Sequence, residues 1–335
     1  MTNIQSTPVG ESSMLARIQG PVRERLDEVV DEIRRIVLSD FEVQEEVNGY
    51  LLKMRGKLFR PTLLLLADAA GGRPHPDAVS LAAVVELVHL ATLVHDDAVD
   101  HSVLRRGLPT VNHLWNHKVA IITGDFLYSR SVMELARLGR MEAIEALAVA
   151  SNRMSVGELR QLLAYDALDF TEEGYYQLIS SKTASLMAAA SEMGALTGLS
   201  EDREAFRRFG QALGMAFQIA DDLLDYEGSE ETTGKPVGHD LRERKVTLPL
   251  VEALRRVSTA DRNRIREFFT RIDPTGDEIE EIVTVVKNAG GLEYARDKAR
   301  SFAQEAEMAL EEVRLEGEAM DALRSAITYA VERNR

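Results

Sequence analysis

Two stretches of this chain run apolar for three or four helical turns and then break into aspartate: LVHLATLVHDDAVD (87–100) and QALGMAFQIADDLLD (211–225). A helix that is hydrophobic on all faces belongs inside a protein. Carboxylates belong inside only when something neutralises them. A fold for this chain must therefore bury two helix bodies and bring their acid ends to a place that cations can reach. At this aspartate content one DDxxD arises by chance on the order of 0.1 times per chain, so two are not accidental. A single acidic cluster is as often a solvated helix face; the apolar approach removes that reading from both.

On a helix, residues i and i+4 share a face, which aligns Asp96 with Asp100 and Asp221 with Asp225. Each cluster lies near a helix C-terminus, where the macrodipole disfavours a carboxylate by about 0.3–1 kcal/mol. Like charges crowded there raise one another's pKa unless a cation intervenes. Hard oxygen donors of this kind suit Mg²⁺, which binds through a few carboxylates and completes its shell with substrate phosphates. Two such platforms at the mouth of an apolar helical pocket would clamp a diphosphate that carries a greasy tail.

The rest of the chain also reads as helix. The stripe Leu26, Val29, Val30, Ile33 and Val37 marks a helix opened by Pro21; further helices are expected over about 42–54, from His75-Pro76-Asp77 to the first aspartates, and over 119–138, 141–165, 172–197 and 202–226. Helical periodicity resumes at TLPLVEALRRV (247–257), and the polar, Gly-containing stretch GSEETTGKPVGHDLRERK (228–245) is the one long loop. No period-2 strand and no short repeat stands out. The expected fold is all-α, a single-domain helical bundle around a central apolar pocket, with residues 1–20 as an N-terminal arm and 21–335 as the domain.

Composition narrows the function. With 45% hydrophobic residues the chain can build a sizeable core, and a net charge of −15 argues against a nucleic-acid partner. There is no cysteine, which excludes disulfides, thiolate metal sites and a cysteine nucleophile. The first twenty residues show no basic region followed by an apolar core, and Glu86 and His89 interrupt the best candidate for a membrane span. A soluble, cytoplasmic protein is expected. Basic residues that could complete a diphosphate clamp stand in loops and at helix ends: Lys57, Arg60, Arg105, Arg106, Lys182, Lys235 and Lys245. Any one of them alone would read as an ordinary surface charge.

Taken in order, these segments resemble the trans-isoprenyl diphosphate synthases, the head-to-tail polyprenyl synthetase family, over roughly residues 25–335. GKLFRP (56–61) resembles the family's GK-x-x-RP, and LVHLATLVHDDAVDHSVLRRGLPT (87–110) its first aspartate-rich motif with paired arginines. GDFL (124–127), SKTASL (181–186), FQIADDLLD (217–225) and GKPVGHDLRERKVTLPL (234–250) are similar to its later motifs. The resemblance implies an all-α fold of the isoprenoid synthase type, usually a homodimer, that condenses isopentenyl diphosphate with an allylic diphosphate. Asp96, Asp97, Asp100, Asp221 and Asp222 would hold Mg²⁺, three ions in most members, with Asp225 in support. Arg105, Lys182 and Lys235 would grip the allylic diphosphate, with Lys245 near them; Lys57, Arg60, His89 and Arg106 would bind isopentenyl diphosphate. Thr183 and Gln218 would line the reacting centre. The family's proton goes to the departing diphosphate, in keeping with the lack of an obvious general base. A peripheral membrane contact for release of a greasy product would be compatible with these roles.

Two departures stand out. Gly157-Glu158 occupies a place where the family often has GQ, and Arg244 replaces a glycine before Lys245. A class I terpene cyclase shares ionisation by metal-bound aspartates, but it has no use for Lys57, Arg60 and His89 together. A non-catalytic subunit of a heteromeric synthase tends to lose aspartates, and both clusters are intact here.

Product length is also open to an expectation. Family members that stop at farnesyl often carry an aromatic residue four or five positions before the first aspartate, where this chain has Thr92 and Ala91. The next turns offer Val88, Val85, Val84 and Leu81, with no Phe or Tyr from Ala78 to Val94. A helix from Asp77 to Asp96 would be about 28 Å long, room for roughly five or six isoprene units. The expected product has roughly thirty to fifty carbons, with a geranylgeranyl or farnesyl length as the alternative.

Overall fold

The helix Asp77–Val99 runs through the middle of the molecule because its sequence leaves it no other place. Leu81, Ala82, Ala83, Val84, Val85 and Leu87 have no exposed surface. By length and mean hydropathy (1.8) it would qualify as a membrane span, so Glu86 and His89 do not disqualify it on composition as expected from the sequence; it is instead a core helix, with 67% of its apolar window buried. The computed structural model describes residues 9–54, 56–162, 169–198, 200–227, 238–271 and 273–332. In chain order its first helices are α1 (Val9–Gln19), α2 (Arg23–Val37), α3 (Glu42–Leu51), α4 (Phe59–Ala69), α5 (Asp77–Val99), α6 (Val111–Leu114), α7 (His117–Leu138) and α8 (Met141–Leu162). The later helices are α9 (Glu172–Ile179), α10 (Ser185–Gly198), α11 (Arg203–Glu227), α12 (His239–Arg242), α13 (Leu248–Arg256), α14 (Thr259–Thr270), α15 (Gly276–Asn288), α16 (Gly291–Glu312) and α17 (Glu318–Glu332).

Around α5 stand α2, α4, α7 and α10, and α11 packs between α10 and α16. The stripe on α2 is buried as its spacing requires, with Ile36 added and Val30 only half-buried. A second apolar cluster, with Ile219, Leu223, Leu248, Ile265 and Ile282, fixes the far end of α11 against the C-terminal helices, and Phe302 touches both clusters. The all-α expectation therefore stands.

Three details add to the expectations drawn from sequence. Residues 9–19 of the expected N-terminal arm lie against the bundle: Ile18 is fully buried, α1 packs on α17, and the Gln19 side-chain amide donates to the Lys57 carbonyl at 2.8 Å. A two-stranded antiparallel ribbon pairs Leu104–Arg105 with Leu108–Pro109. Its turn residues Arg106 and Gly107 both have left-handed backbone (φ 53° and 76°), the geometry of a tight hairpin, in strands too short to leave an alternating pattern. The helix expected over 172–197 contains a π-helical segment, Ser180–Ala184, between α9 and α10.

Asp68 on α4 ties several elements together. Its fully buried carboxylate meets the Arg25 guanidinium of α2 at 2.5 Å and accepts from the His75 backbone N–H (3.1 Å) and the Thr197 hydroxyl of α10 (2.5 Å). Asp68→Ala should strand these donors and lower unfolding free energy by about 3 kcal/mol, read from chemical denaturation; a loss below about 0.5 kcal/mol would mean that the network is not structural.

Candidate active site

Where α5 leaves the core, its last turns wall a cavity of about 1480 Å³. From α5 itself come Glu86, Val88, His89, Ala91, Thr92 and Asp96. Lys57 and Arg60 enter from the start of α4, Arg105 and Arg106 from the hairpin, and Lys182 and Thr183 from the π-helical segment. Phe217, Gln218 and Asp221 come from α11, closing the ring. The two acid helix ends thus meet five of the basic residues predicted from sequence, Lys57, Arg60, Arg105, Arg106 and Lys182, in one place. Below the polar rim, Val88, Ala91, Phe217 and Met154 make the wall apolar.

Two charge environments divide the rim. On one side Arg60 is half-buried, its buried Nε has no hydrogen-bond partner, and desolvation pushes its pKa down to about 10, with Glu86 pulling the other way. Arg106 lies against the backbone of Gly56, where a Cβ would stand 2.7 Å from its Nη2, and it donates to the Met54 carbonyl at 2.7 Å. His89 beside them is held well below its usual pKa by burial and by Arg60 and Arg106, so it is a neutral imidazole. A buried donor left unpaired costs about 1–3 kcal/mol. Anion oxygens placed here would recover that.

On the other side Asp96 and Asp221 reach the wall, with Asp97 and Asp222 buried outside it. Burial raises the pKa of Asp96, with Lys182 opposing. Asp222 is raised further, by burial and then by the charge of Asp240. Asp97 is buried and gripped by Arg105, whose Nε lies 2.8 Å from both oxygens. Among the described residues no three acidic or imidazole side chains converge on one point. A cation here would take one or two carboxylates and fill its shell with phosphate oxygens and water, as Mg²⁺ does. The donor set fits that ion, and a bound cation would relieve the strained ionisation of Asp96 and Asp222.

Not every predicted residue faces the cavity. Asp100 is exposed beyond the last turn of α5. Asp225 was expected to support a metal; its two oxygens instead accept the backbone N–H groups of His239 (3.0 Å) and Asp240 (2.9 Å), capping α12. Lys245 was expected near the diphosphate; its ammonium pairs with Glu243 at 2.5 Å, and it is not on the cavity wall. Lys235 lies outside the described residues. Val88, Ala91 and Thr92 do line the pocket, whereas Leu81, Val84 and Val85 face neighbouring helices and are wholly buried, so the wall does not follow the full length of α5.

A polyprenyl synthetase family model matches residues 42–286. The chain belongs to the polyprenyl synthetase family. It is an enzyme, a trans-prenyltransferase. It is 38% identical over 298 residues to the all-trans-nonaprenyl-diphosphate synthase (geranyl-diphosphate specific) of Rhodobacter capsulatus, covering 88% of this chain and 90% of that protein. It is 37% identical over 322 residues to a short chain isoprenyl diphosphate synthase of Methanothermobacter thermautotrophicus, covering 93% and 98%. Its fold is similar, at a TM-score of 0.89 and 34% identity, to the crystal structure of a polyprenyl synthase from Caulobacter crescentus complexed with calcium and isoprenyl diphosphate, covering 95% of this chain and 98% of that one.

Several residues of this prenyltransferase's site carry no signal in the sequence. Tyr175 on α9, 1% exposed, donates its hydroxyl to Asp222 at 2.6 Å. The other Asp222 oxygen accepts from the Gln218 amide at 2.8 Å, and Thr183 donates to the Gln218 carbonyl at 2.7 Å. Tyr329 of α17 and Tyr128 of α7 also reach the cavity. No local motif marks any of these tyrosines. Tyr175→Phe removes a hydrogen bond to a charged group, worth about 1.5–3 kcal/mol. Turnover should fall roughly ten- to hundredfold in a steady-state assay; an unchanged rate would show that the chain from Tyr175 to Thr183 does not orient Asp222.

Proposed function

We propose that the enzyme joins isopentenyl diphosphate to an allylic diphosphate, head to tail, to build an all-trans polyprenyl diphosphate of roughly thirty to fifty carbons. One observation carries this reading: the Arg60–Arg106 cluster, with its unpartnered Arg60 Nε, and the acid ends of α5 and α11 wall the same cavity, together with apolar side chains. Arg60, Arg106, Lys57 and His89 would hold the isopentenyl diphosphate, with His89 serving as a neutral donor. Asp96, Asp97, Asp221 and Asp222 would hold Mg²⁺, three ions as in most of the family. The bound metal supplies Lewis-acid stabilisation of the leaving diphosphate. Lys182 and Arg105 add fixed positive charge at the same group, which needs no reorganisation when the carbon–oxygen bond breaks. Val88, Ala91, Met154 and Phe217 keep water from the allylic cation. His89 is too weakly basic to take the proton, and the departing diphosphate is the natural acceptor.

The length assignment follows the long-chain relative and the small side chains at Ala91 and Thr92. Because the α5 wall ends at Glu86, a long product would leave along α7 and α8, where cavity residues Tyr128 and Leu159 are themselves exposed. These helices also present Ile121, Ile122, Val132, Met133, Val149 and Val156 to solvent, an apolar face that supports a homodimer. Exposed Val103, Leu104 and Leu108 on the hairpin suit a peripheral membrane contact. We place the enzyme in the cytoplasm.

Incubation of the purified chain with isopentenyl diphosphate, an allylic starter and Mg²⁺, followed by product sizing, tests the reading. Activity should vanish with a chelator, return with Mg²⁺, and fall by about three orders of magnitude in Asp221→Ala. Normal turnover in that variant would sink the assignment. Ala91→Phe should shorten the product to about fifteen to twenty carbons, one aromatic ring blocking one helical turn of the wall. An active variant with an unchanged product distribution would place the ruler elsewhere.

A further inference from the structure

Lys182 is carried by the π-helical segment Ser180–Ala184, a distortion that recurs at functional sites. Its ammonium has a choice of carboxylates: Glu158 Oε2 at 2.6 Å and Asp96 Oδ2 at 3.6 Å. Gln161 offers a carbonyl oxygen at 3.3 Å. The closer carboxylate belongs to the pair Gly157-Glu158. A Cβ at Gly157 would stand 2.8 Å from the Ser181 Cβ, so the bare backbone at 157 is what lets α8 approach the π segment and Glu158 reach Lys182.

We infer that Glu158 is a positioning residue that holds Lys182 off Asp96 and so keeps that carboxylate open to a divalent cation. The inference rests on the proposed reading of Asp96 as a metal ligand. A lysine carries one charge on a flexible stem. At 2.6 Å it makes a close ion pair with Glu158, without the alignment of a hydrogen bond, whereas the 3.6 Å to Asp96 is a longer and weaker attraction. The three side chains are 20–29% exposed, so their charges are only partly screened. Without the carboxylate at 158, Asp96 would be the only anion of the pair within reach. The ammonium would close on it and compete with the metal. With Glu158 present the trio keeps one net negative charge, which draws a cation in while Lys182 stays at the rim for the leaving diphosphate.

Glutamine at 158 keeps the shape and loses the charge. Mn²⁺ binding, followed by electron paramagnetic resonance with inorganic diphosphate present, needs no turnover and can be run on the parent, Glu158→Gln, Lys182→Gln and the double variant. In the parent background Glu158→Gln should weaken Mn²⁺ binding roughly three- to tenfold, the size of coupling between contacting charges. In the Lys182→Gln background the same substitution should cost clearly less, since only the general pull of one nearby negative charge is then lost. Equal losses in both backgrounds would make Glu158 a direct metal ligand and overturn the inference, as would no loss in either. A parent that binds no Mn²⁺ would overturn the functional reading along with it; a parent that binds while Glu158→Gln matches it would overturn the positioning role alone.

Discussion

Burial of α5 is the constraint on which the rest of this molecule depends. Each buried methylene contributes about 0.8 kcal/mol, and nearly every side chain from Ala78 to Ala91 is inside. Such a helix must be wrapped, and α2, α4, α7 and α10 do so. Because a helix is stiff, packing three turns away fixes where Asp96 emerges. The metal-facing carboxylate is thus located by apolar contacts that have no chemical role of their own. The same packing makes the upper part of the helix a wall of small residues, so that one element both presents charge and shapes the pocket.

Where the wrapping stops, the site is built from charges held in incomplete pairs. Arg60 is half-buried with a buried spare donor, and half-buried Asp96 and buried Asp222 have their ionisation disfavoured. Each is a cost in the empty protein and an attraction for ions of opposite sign. Arg105, locked on Asp97, stands on the border between the two regions and keeps them from collapsing on one another. The arrangement is preorganised electrostatics: dipoles and charges aimed at a diphosphate before one arrives.

Residues on one helix were readable together because a period of 3.6 places them relative to each other without any knowledge of the fold. His89, Ala91, Thr92 and Asp96 share a cavity as their spacing implies. Asp225 does share a face with Asp221, but the start of α12 packs against it, and the backbone N–H groups of His239 and Asp240 donate to its oxygens. Lys245 pairs with Glu243, two residues away. Reading the pocket depth from helix length failed at Val84 and Val85 because period alone does not say which neighbour a buried face meets.

The sequence by itself determined the helical class, the acid ends of two buried helices and the basic residues that answer them, because each is a matter of local period and charge. Tertiary structure alone decided which of those groups meet. Lys57 reaches Tyr329 across 272 residues of chain, Tyr175 reaches Asp222 across 47, and Glu158 reaches Lys182 only because Gly157 lets two helices touch. Contacts of that kind leave no periodic trace. They depend on how far apart the helix axes come to rest, and packing of the whole core sets that distance.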